Sequence, residues 1–235
     1  MNEYGYIKRN FEALTAELSD IASRVGVAVP KLVAVTKSGT DEELIALAEA
    51  GASAIGENRP SELVRRAALL SDRGFSPELH QIGTLQSNKA KLVAPISTLI
   101  HSLDSESLLR ELSRVAERLS VTVPVLIEIN CAEEPQKSGV LPRDAERFLE
   151  RTLEFPRLIP KGLMTMGPVS ESPELLRPYF RATKALFDKL DSRYGFGDDP
   201  ILSMGMSDSY RVAIEEGSTL VRVGRRLFIK NEEDG

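Results

Sequence analysis

The chain has 235 residues, with 30 lysines and arginines against 35 aspartates and glutamates, and a formal net charge of −5. Hydrophobic residues make up 42% of the composition, which is typical of a folded globular protein and excludes a largely disordered chain. The acidic balance argues against nucleic acid as the main partner, because phosphate binding requires a basic face.

Cysteine, histidine and long apolar runs are all scarce in this sequence. The single cysteine, Cys131, excludes an internal disulfide, and two histidines leave little for a metal centre, so we expect no metal. The N-terminal stretch MNEYGYIKRNFEALTAELSD is polar, and no apolar run approaches the roughly 18 residues that span a bilayer. We therefore expect a cytoplasmic protein without a membrane partner.

Short apolar runs bounded by turn residues recur along the chain and predict eight buried, parallel strands. They cover residues 32–37, 52–57, 79–83, 97–103, 123–130, 159–166, 201–207 and 219–224. Amphipathic patterns predict helices over residues 41–51, 105–119, 143–153 and 172–195, and a further helix over residues 5–24 precedes the first strand.

Regular alternation of strand and helix predicts the fold class. The repeat is about 25 residues long, the length that a (β/α)₈ unit needs. We therefore predict an α/β protein, a single-domain (β/α)₈ TIM barrel over residues 1–235 with an extra N-terminal helix. The rival is an open doubly wound sheet, but its GxGxxG fingerprint after the first strand is missing.

In a barrel the active site lies at the carboxyl ends of the strands, and Lys37 closes the first strand. Strand alternation places Lys37 on the same face as Val33 and Val35. If that face is the interior, the amine lies at the barrel mouth, where burial favours the neutral nucleophile that can form a Schiff base. The alternative is a lysine that ends the strand and extends into water.

The ends of the seventh and eighth strands predict an anion site. Ser207 is a candidate N-cap that leaves backbone N–H groups free for an anion, while Gly205 and Gly224 allow close approach of the main chain. Loops after these two strands often hold phosphate in barrel enzymes. The alternative is a capped helix with two turn glycines.

Arg222 shares a strand face with Leu220 and Gly224, so its guanidinium is expected to point inward and to need an acceptor. Glu128 could provide a structural ion pair, and a ring nitrogen of a bound cofactor could serve equally well. Met164 and Met166 could flank a planar ring, although methionines in a strand are more often core. His80 is interpreted as a hydrogen-bonded core residue, and Cys131 has no paired base in the sequence that would make it a nucleophile.

Eight segments carry a family resemblance, in order and over nearly the whole chain. They are AVTK (34–37), IGENR (55–59), HQIGTLQSNKAK (80–91), IHSLDS (100–105), KSGV (137–140), GLMTM (162–166), LSMGMS (202–207) and AIEEGSTLVRVG (213–224). Together they resemble the YggS/PROSC-type pyridoxal phosphate homeostasis proteins, which are related to the N-terminal barrel of alanine racemase.

The resemblance implies a barrel that holds pyridoxal 5′-phosphate (PLP) as its cofactor. Lys37 matches the Schiff-base lysine, Asn58 matches a residue beside the ring, and Arg222 matches the arginine that faces the pyridine nitrogen. Phosphate contacts are implied for Ser203 and for the main chain of Gly224 and Arg225, and ring-side contacts for Met166 and Met204.

Four positions depart from the resembled pattern. Arg226 stands where a small residue is usual, Ile229 replaces a glycine, Ser209 replaces a frequent acidic residue, and Pro60 replaces a more helix-friendly residue, although proline suits a first helical turn. These departures affect the expected geometry of the phosphate loop, whereas Lys37 and Arg222 match the pattern.

The implied chemistry favours a carrier over an enzyme. An arginine that donates to the ring nitrogen leaves it unprotonated and weakens the ring as an electron sink. Alanine racemase draws its second catalytic base, a tyrosine, from an additional domain, and this chain ends soon after its eighth predicted strand, so we expect no such domain here.

We therefore expect a monomeric PLP carrier or buffer in vitamin B6 homeostasis, with effects on amino-acid balance and no established catalytic residue. Its expected partners are PLP and PLP-dependent apoenzymes. The alternatives are a PLP-dependent amino-acid racemase or lyase, which needs an acid/base besides Lys37, and a cofactor-free Schiff-base aldolase.

Overall fold

Eight parallel strands form the inner layer of the computed structural model, which describes residues 3–170 and 172–230. The strands are β1 (Lys31–Val35), β2 (Ala54–Glu57), β3 (Glu78–Gln81), β4 (Leu99–Leu103), β5 (Val123–Glu128), β6 (Leu158–Met164), β7 (Ile201–Ser203) and β8 (Leu220–Val223). Neighbours in sequence pair in parallel, and β1 pairs with β8, so the sheet closes. Closure confirms the predicted (β/α)₈ barrel and excludes the open doubly wound sheet.

Helices follow the strands and form the outer layer. They are α1 (Gly5–Val25), α2 (Asp41–Glu49), α3 (Pro60–Asp72), α4 (Ala90–Val93), α5 (Glu106–Leu119), α6 (Ala145–Leu153), α7 (Arg177–Tyr194) and α8 (Tyr210–Glu215). The predicted extra helix before the first strand is present as α1. Within residues 3–170 and 172–230, every helix falls short of the length or apolar character that a membrane crossing requires. The two ends of the predicted 1–235 domain, and Glu171, lie outside the described residues.

Alternation along the strands divides their side chains between two cores. The barrel interior holds an apolar cluster of Val33, Ala54, Leu99, Leu126, Met164 and Leu220. Opposite faces of the same strands pack against the helices, where α5 buries Leu108, Leu109 and Leu112 on one side. Complete burial of one such leucine contributes about 1.5–3 kcal/mol, so the helical layer is a major source of stability.

Three of the residues that depart from the resembled pattern lie in or near the packing of α1 and α8. Arg226 forms an ion pair with Glu17 of α1 at 3.0 Å, and the Ser209 hydroxyl accepts a backbone N–H at 3.1 Å in the turn before α8. The backbone carbonyl of Ile229 accepts a hydrogen bond from Asn10 of α1 at 2.8 Å, a contact that does not depend on the side chain. The side chains of Arg226 and Ser209 therefore have structural partners of their own.

Candidate functional site

Lys37 and Asn58 lie at the carboxyl-terminal rim of the barrel, directly after β1 and β2. Lys37 is in a turn that closes with a 2.9 Å hydrogen bond from the Gly39 N–H to the Thr36 carbonyl. Both Lys37 and Asn58 are exposed, which agrees with the alternative of a lysine that ends the strand and extends into water. Strand β1 ends at Val35, so Lys37 lies beyond its paired residues.

A buried ion pair holds the Lys37 turn on both sides. The Arg66 guanidinium of α3 donates to the carbonyls of Thr36 and Gly39, each at 2.7 Å. It also lies 3.2 Å from Glu57, which accepts a hydrogen bond from the Thr36 hydroxyl. Burial raises the pKa of Glu57, and the neighbouring guanidinium opposes that rise. The backbone around Lys37 is therefore fixed although its side chain is free to reach solvent.

The loops after β7 and β8 meet at the same rim. The Gly224 N–H lies 3.4 Å from the Ser207 hydroxyl oxygen, and a Cβ on Gly224 would lie only 2.7 Å from the Val35 carbonyl oxygen. Only glycine therefore allows the β8 end to approach the β1 end this closely. Arg225 is exposed and pairs with Asp208 at 2.5 Å across the rim. Backbone and hydroxyl donors thus lie beside the turn after β1.

Two details of the predicted anion site differ from expectation. Helix α8 begins at Tyr210 with Ser209 at its N-cap, so Ser207 lies in the preceding loop and does not cap the helix. Gly205 has φ +92°, and a Cβ there would meet Ala213 at 2.6 Å. Gly205 therefore permits close packing of α8 against the strand end.

Ser203 and Met204, for which the resemblance implies contacts with the cofactor, are buried below the rim. Ser203 has no exposed surface, and its hydroxyl bonds to Arg222 and to His101 Nδ1, the latter at 3.1 Å. Strand register pairs Ser203 with Leu220, deeper in the barrel than Arg222. Met204 is also fully buried and packs in the helical layer, because alternation along β7 turns it outward.

Arg222 points inward, as predicted, and is almost completely buried. Its guanidinium donates to the Ser203 hydroxyl and, at 3.1 Å, to the Thr165 carbonyl. Glu128, the other acceptor considered from the sequence, acts on it through charge. Burial lowers the pKa of Arg222 to about 10, so it stays a cation near neutral pH.

A cavity of about 100 Å³ opens beside Arg222's neighbours on β5 and β6. Its lining includes Glu128, Cys131, Thr165 and Met166. Burial, with the charge of Asp104, raises the pKa of Glu128 to about 7. Met166 is 41% exposed and lies at the rim. Met164, by contrast, belongs to the barrel interior, in agreement with its interpretation as core.

Sequence reasoning missed two groups of residues. Arg66 shares the buried face of α3 with Leu63 and Leu70, a helical spacing that marks it as inward-facing and could have identified it. His101 bonds to both His80 and Ser203 in the barrel interior. The period of two along each strand places these three side chains on the inner face, but which of them meet depends on strand register.

Comparison with known proteins identifies the family of this chain. Residues 10–232 match the family described as "Alanine racemase, N-terminal domain". A curated protein of Aquifex aeolicus named pyridoxal phosphate homeostasis protein is 41% identical over 198 residues, covering 84% of this chain and 86% of that protein. This chain belongs to the pyridoxal phosphate homeostasis branch of the family. The resemblance found in the eight sequence segments is thereby confirmed.

Solved structures agree on the fold. PipY of Synechococcus elongatus, in a structure described as having PLP bound, is 27% identical with a TM-score of 0.82, over 95% of this chain and 100% of that chain. Alanine racemase of Corynebacterium glutamicum is 18% identical with a TM-score of 0.72, over 97% of this chain and 63% of that chain. At that identity the racemase likeness concerns the fold alone.

Proposed function

We propose that this protein binds PLP at the carboxyl-terminal rim of its barrel and acts as a carrier or buffer of the cofactor. One observation carries the proposal: an exposed lysine and two loops with backbone and hydroxyl donors lie at one rim, above a buried inward-facing arginine, in a family that includes a protein solved with PLP bound. Each group suits a different part of PLP.

The residues present fit the reactive parts of the cofactor. When bound, PLP supplies an aldehyde that condenses with a lysine amine, releasing water, and a pyridine ring that withdraws electrons. Lys37 is exposed at the rim and its turn is clamped by Arg66, so its amine is accessible while its backbone is fixed. We propose Lys37 as the point of covalent attachment, with Asn58 and Met166 beside the ring.

The loops after β7 and β8 are the proposed binding site for the phosphate. The Ser207 hydroxyl, the Gly224 N–H and the main chain and guanidinium of Arg225 supply hydrogen-bond donors at that rim. Contacts of this kind to a phosphate dianion are charge-assisted and account for much of its affinity. This proposal assigns to Ser207 the contact that the sequence resemblance had implied for Ser203.

Arg222 determines what the ring can do. A guanidinium has only donors, so a ring nitrogen that faces it must remain an unprotonated acceptor. Such a ring stabilises a carbanion less well than a protonated one, which favours holding the cofactor over amino-acid chemistry.

The exposed position of Lys37 agrees with handover, because another protein's lysine can reach a cofactor held there. PLP-dependent apoenzymes are the proposed recipients, and since all these site residues lie on one chain, we propose that a monomer suffices.

An amino-acid racemase or lyase remains the second candidate, because one observation favours it. Glu128 is a buried carboxyl with a pKa of about 7 that lines the cavity beside Met166. A group with such a pKa suits proton transfer near neutral pH. If the protein is a racemase or lyase, its activity toward amino acids should therefore depend on Glu128.

The two candidates are separated with protein loaded with PLP and freed of excess cofactor. For a carrier, mixing with a PLP-dependent apoenzyme restores the activity of the apoenzyme, and L-alanine yields no more D-alanine than it does with free PLP. Apoenzyme that stays inactive, together with alanine racemisation that Glu128→Gln abolishes, would replace the carrier proposal with the racemase.

A further inference from the structure

A chain of polar side chains crosses the apolar interior of the barrel. It begins at Glu78, the first residue of β3, whose carboxylate lies 3.1 Å from His80 Nε2. His80 Nδ1 lies 2.9 Å from His101 Nε2, and His101 Nδ1 lies 3.1 Å from the Ser203 hydroxyl. Ser203 then bonds to Arg222. All of these residues except Glu78 are buried, so the chain joins the amino-terminal end of the barrel to the proposed cofactor end.

The two ends of this chain, together with neutral imidazoles, fix the direction of every hydrogen bond in it. Arg222 can only donate, and Glu78 is an acceptor because hydrogen bonds from His80 and Lys31 lower the pKa of the carboxyl to about 2. A neutral His80 then donates its Nε2–H to Glu78 and accepts at Nδ1 from the Nε2–H of His101. A neutral His101 accepts at Nδ1 from the Ser203 hydroxyl, which itself accepts from Arg222. In this order both histidines carry their proton on Nε2.

Protonation of either histidine would break this order. A charged His80 would set its Nδ1–H against the Nε2–H of His101, with two donors facing each other. Burial lowers the pKa of both imidazoles and so supports the neutral forms. The charged or titratable groups that face them are Glu78 and Lys31 for His80, His80 and Arg222 for His101, and Glu128 for Arg222 itself.

We propose that His80 and His101 are positioning residues for the cofactor, which act through Ser203 to hold the Arg222 guanidinium in one orientation at the barrel mouth. The inference rests on the proposed function, because that orientation matters to a ring bound at the rim. Ser203 and the Thr165 carbonyl take two of the five N–H groups, and two fixed partners set the plane of the guanidinium. The remaining N–H donors are then already oriented toward the ring when it binds.

The direction of the chain is tested on cofactor-free wild-type protein by long-range ¹⁵N–¹H correlation spectra of the two imidazoles at about pH 7. We expect both histidines to be neutral with the proton on Nε2. A proton on Nδ1 of either ring, or an imidazolium, would overturn the proposed order.

The positioning role is tested with PLP affinity and the absorption spectrum of the bound cofactor. His101→Leu removes the acceptor of the Ser203 hydroxyl, and we expect affinity to fall by about tenfold, with a shifted absorption band, because a hydrogen bond in a charged network is lost. His101→Gln keeps one acceptor and one donor and should restore most of the affinity and the band. Leu126→Val, an apolar change in the same barrel interior, serves as the control and should leave both unchanged.

The outcomes separate the positioning role from the proposed function. Wild-type protein that binds no PLP contradicts the proposed function, whatever the imidazole spectra show. Wild-type protein that binds PLP, with His101→Leu equal to Leu126→Val in affinity and spectrum, contradicts the positioning role alone. If His101→Leu does not fold, the comparison of His101→Gln with His101→Asn, whose shorter amide cannot bridge both neighbours, decides the same point.

Discussion

At the scale of single residues, Ser203 and Ser207 have the same chemistry and different surroundings. Ser203 is enclosed in the barrel and bonded to His101 and Arg222, while Ser207 is half-buried in a loop beside the Gly224 N–H. Strand β7 ends at Ser203, and three residues separate it from Ser207 at the rim. This difference is the reason that we propose Ser207 for the phosphate contact.

Comparison of PLP with pyridoxal, which lacks the phosphate, separates the two serines. We predict that Ser207→Ala lowers the ratio of PLP affinity to pyridoxal affinity by about tenfold, because a charge-assisted hydrogen bond is lost. Ser203→Ala should weaken both ligands alike and leave that ratio unchanged. Absorbance titration of each variant with both ligands measures the ratios, and the reverse pattern would return the phosphate contact to Ser203.

At the scale of elements, the turn after β1 depends on residues from β2 and α3. Arg66 reaches from the helix to the carbonyls on either side of Lys37, and Glu57 at the end of β2 neutralises its charge. Residues of the turn itself, of β2 and of α3 thus set the position of one exposed lysine. Neighbouring Arg65 forms its ion pairs with Asp41 and Glu62 on the surface instead.

Substitution of each arginine by methionine tests this difference. We predict that Arg66→Met lowers the free energy of unfolding by about 3–5 kcal/mol, because it leaves the Glu57 carboxyl buried without its partner. Arg65→Met removes exposed ion pairs and should cost less than about 1 kcal/mol. Urea denaturation of the cofactor-free proteins provides both values, and equal losses would contradict the clamp.

The order and type of the elements could be predicted from local patterns, but several of their ends could not. Apolar runs continue past the last paired residue, so the strands predicted over 32–37 and 201–207 end at Val35 and Ser203. Lys37 and Ser207 therefore lie in loops, where strand alternation does not predict the direction of a side chain. In contrast, Arg222 lies inside a paired strand, and its inward direction was predicted correctly.

At the scale of the whole molecule, closure of the barrel brings together side chains that are distant in sequence. The chain from Glu78 to Arg222 draws on β3, β4, β7 and β8, and its members meet only because the sheet closes with a particular register. A repeat length of about 25 residues predicts closure, but it contains no information on register. That is why the sequence predicts His80 as a hydrogen-bonded core residue but does not predict its partners.

Burial of both histidines of the chain as neutral groups predicts a dependence of stability on pH. Their pKa values lie below the unfolded value of 6.5, so below about pH 6.5 the unfolded state binds protons that the folded state does not, and stability falls. Between pH 7.5 and 5.5 we expect a loss of about 1–3 kcal/mol relative to the double variant His80→Asn, His101→Gln. The pKa of Glu128 is raised, so its contribution to stability grows as the pH falls. Because both proteins contain Glu128, this contribution cancels in the comparison. Parallel pH profiles for the two proteins would contradict neutral burial.

The proposed site holds PLP at the barrel rim through Lys37. Borohydride reduction of the loaded protein, followed by peptide mapping by mass spectrometry, locates the lysine that carries the cofactor. We predict that the reduced cofactor is found on the peptide that contains Lys37, is absent in Lys37→Met, and is retained in Lys31→Met, which alters a lysine at the opposite end of the barrel. Labelling of another lysine, or undiminished labelling of Lys37→Met, would contradict the assignment of the site.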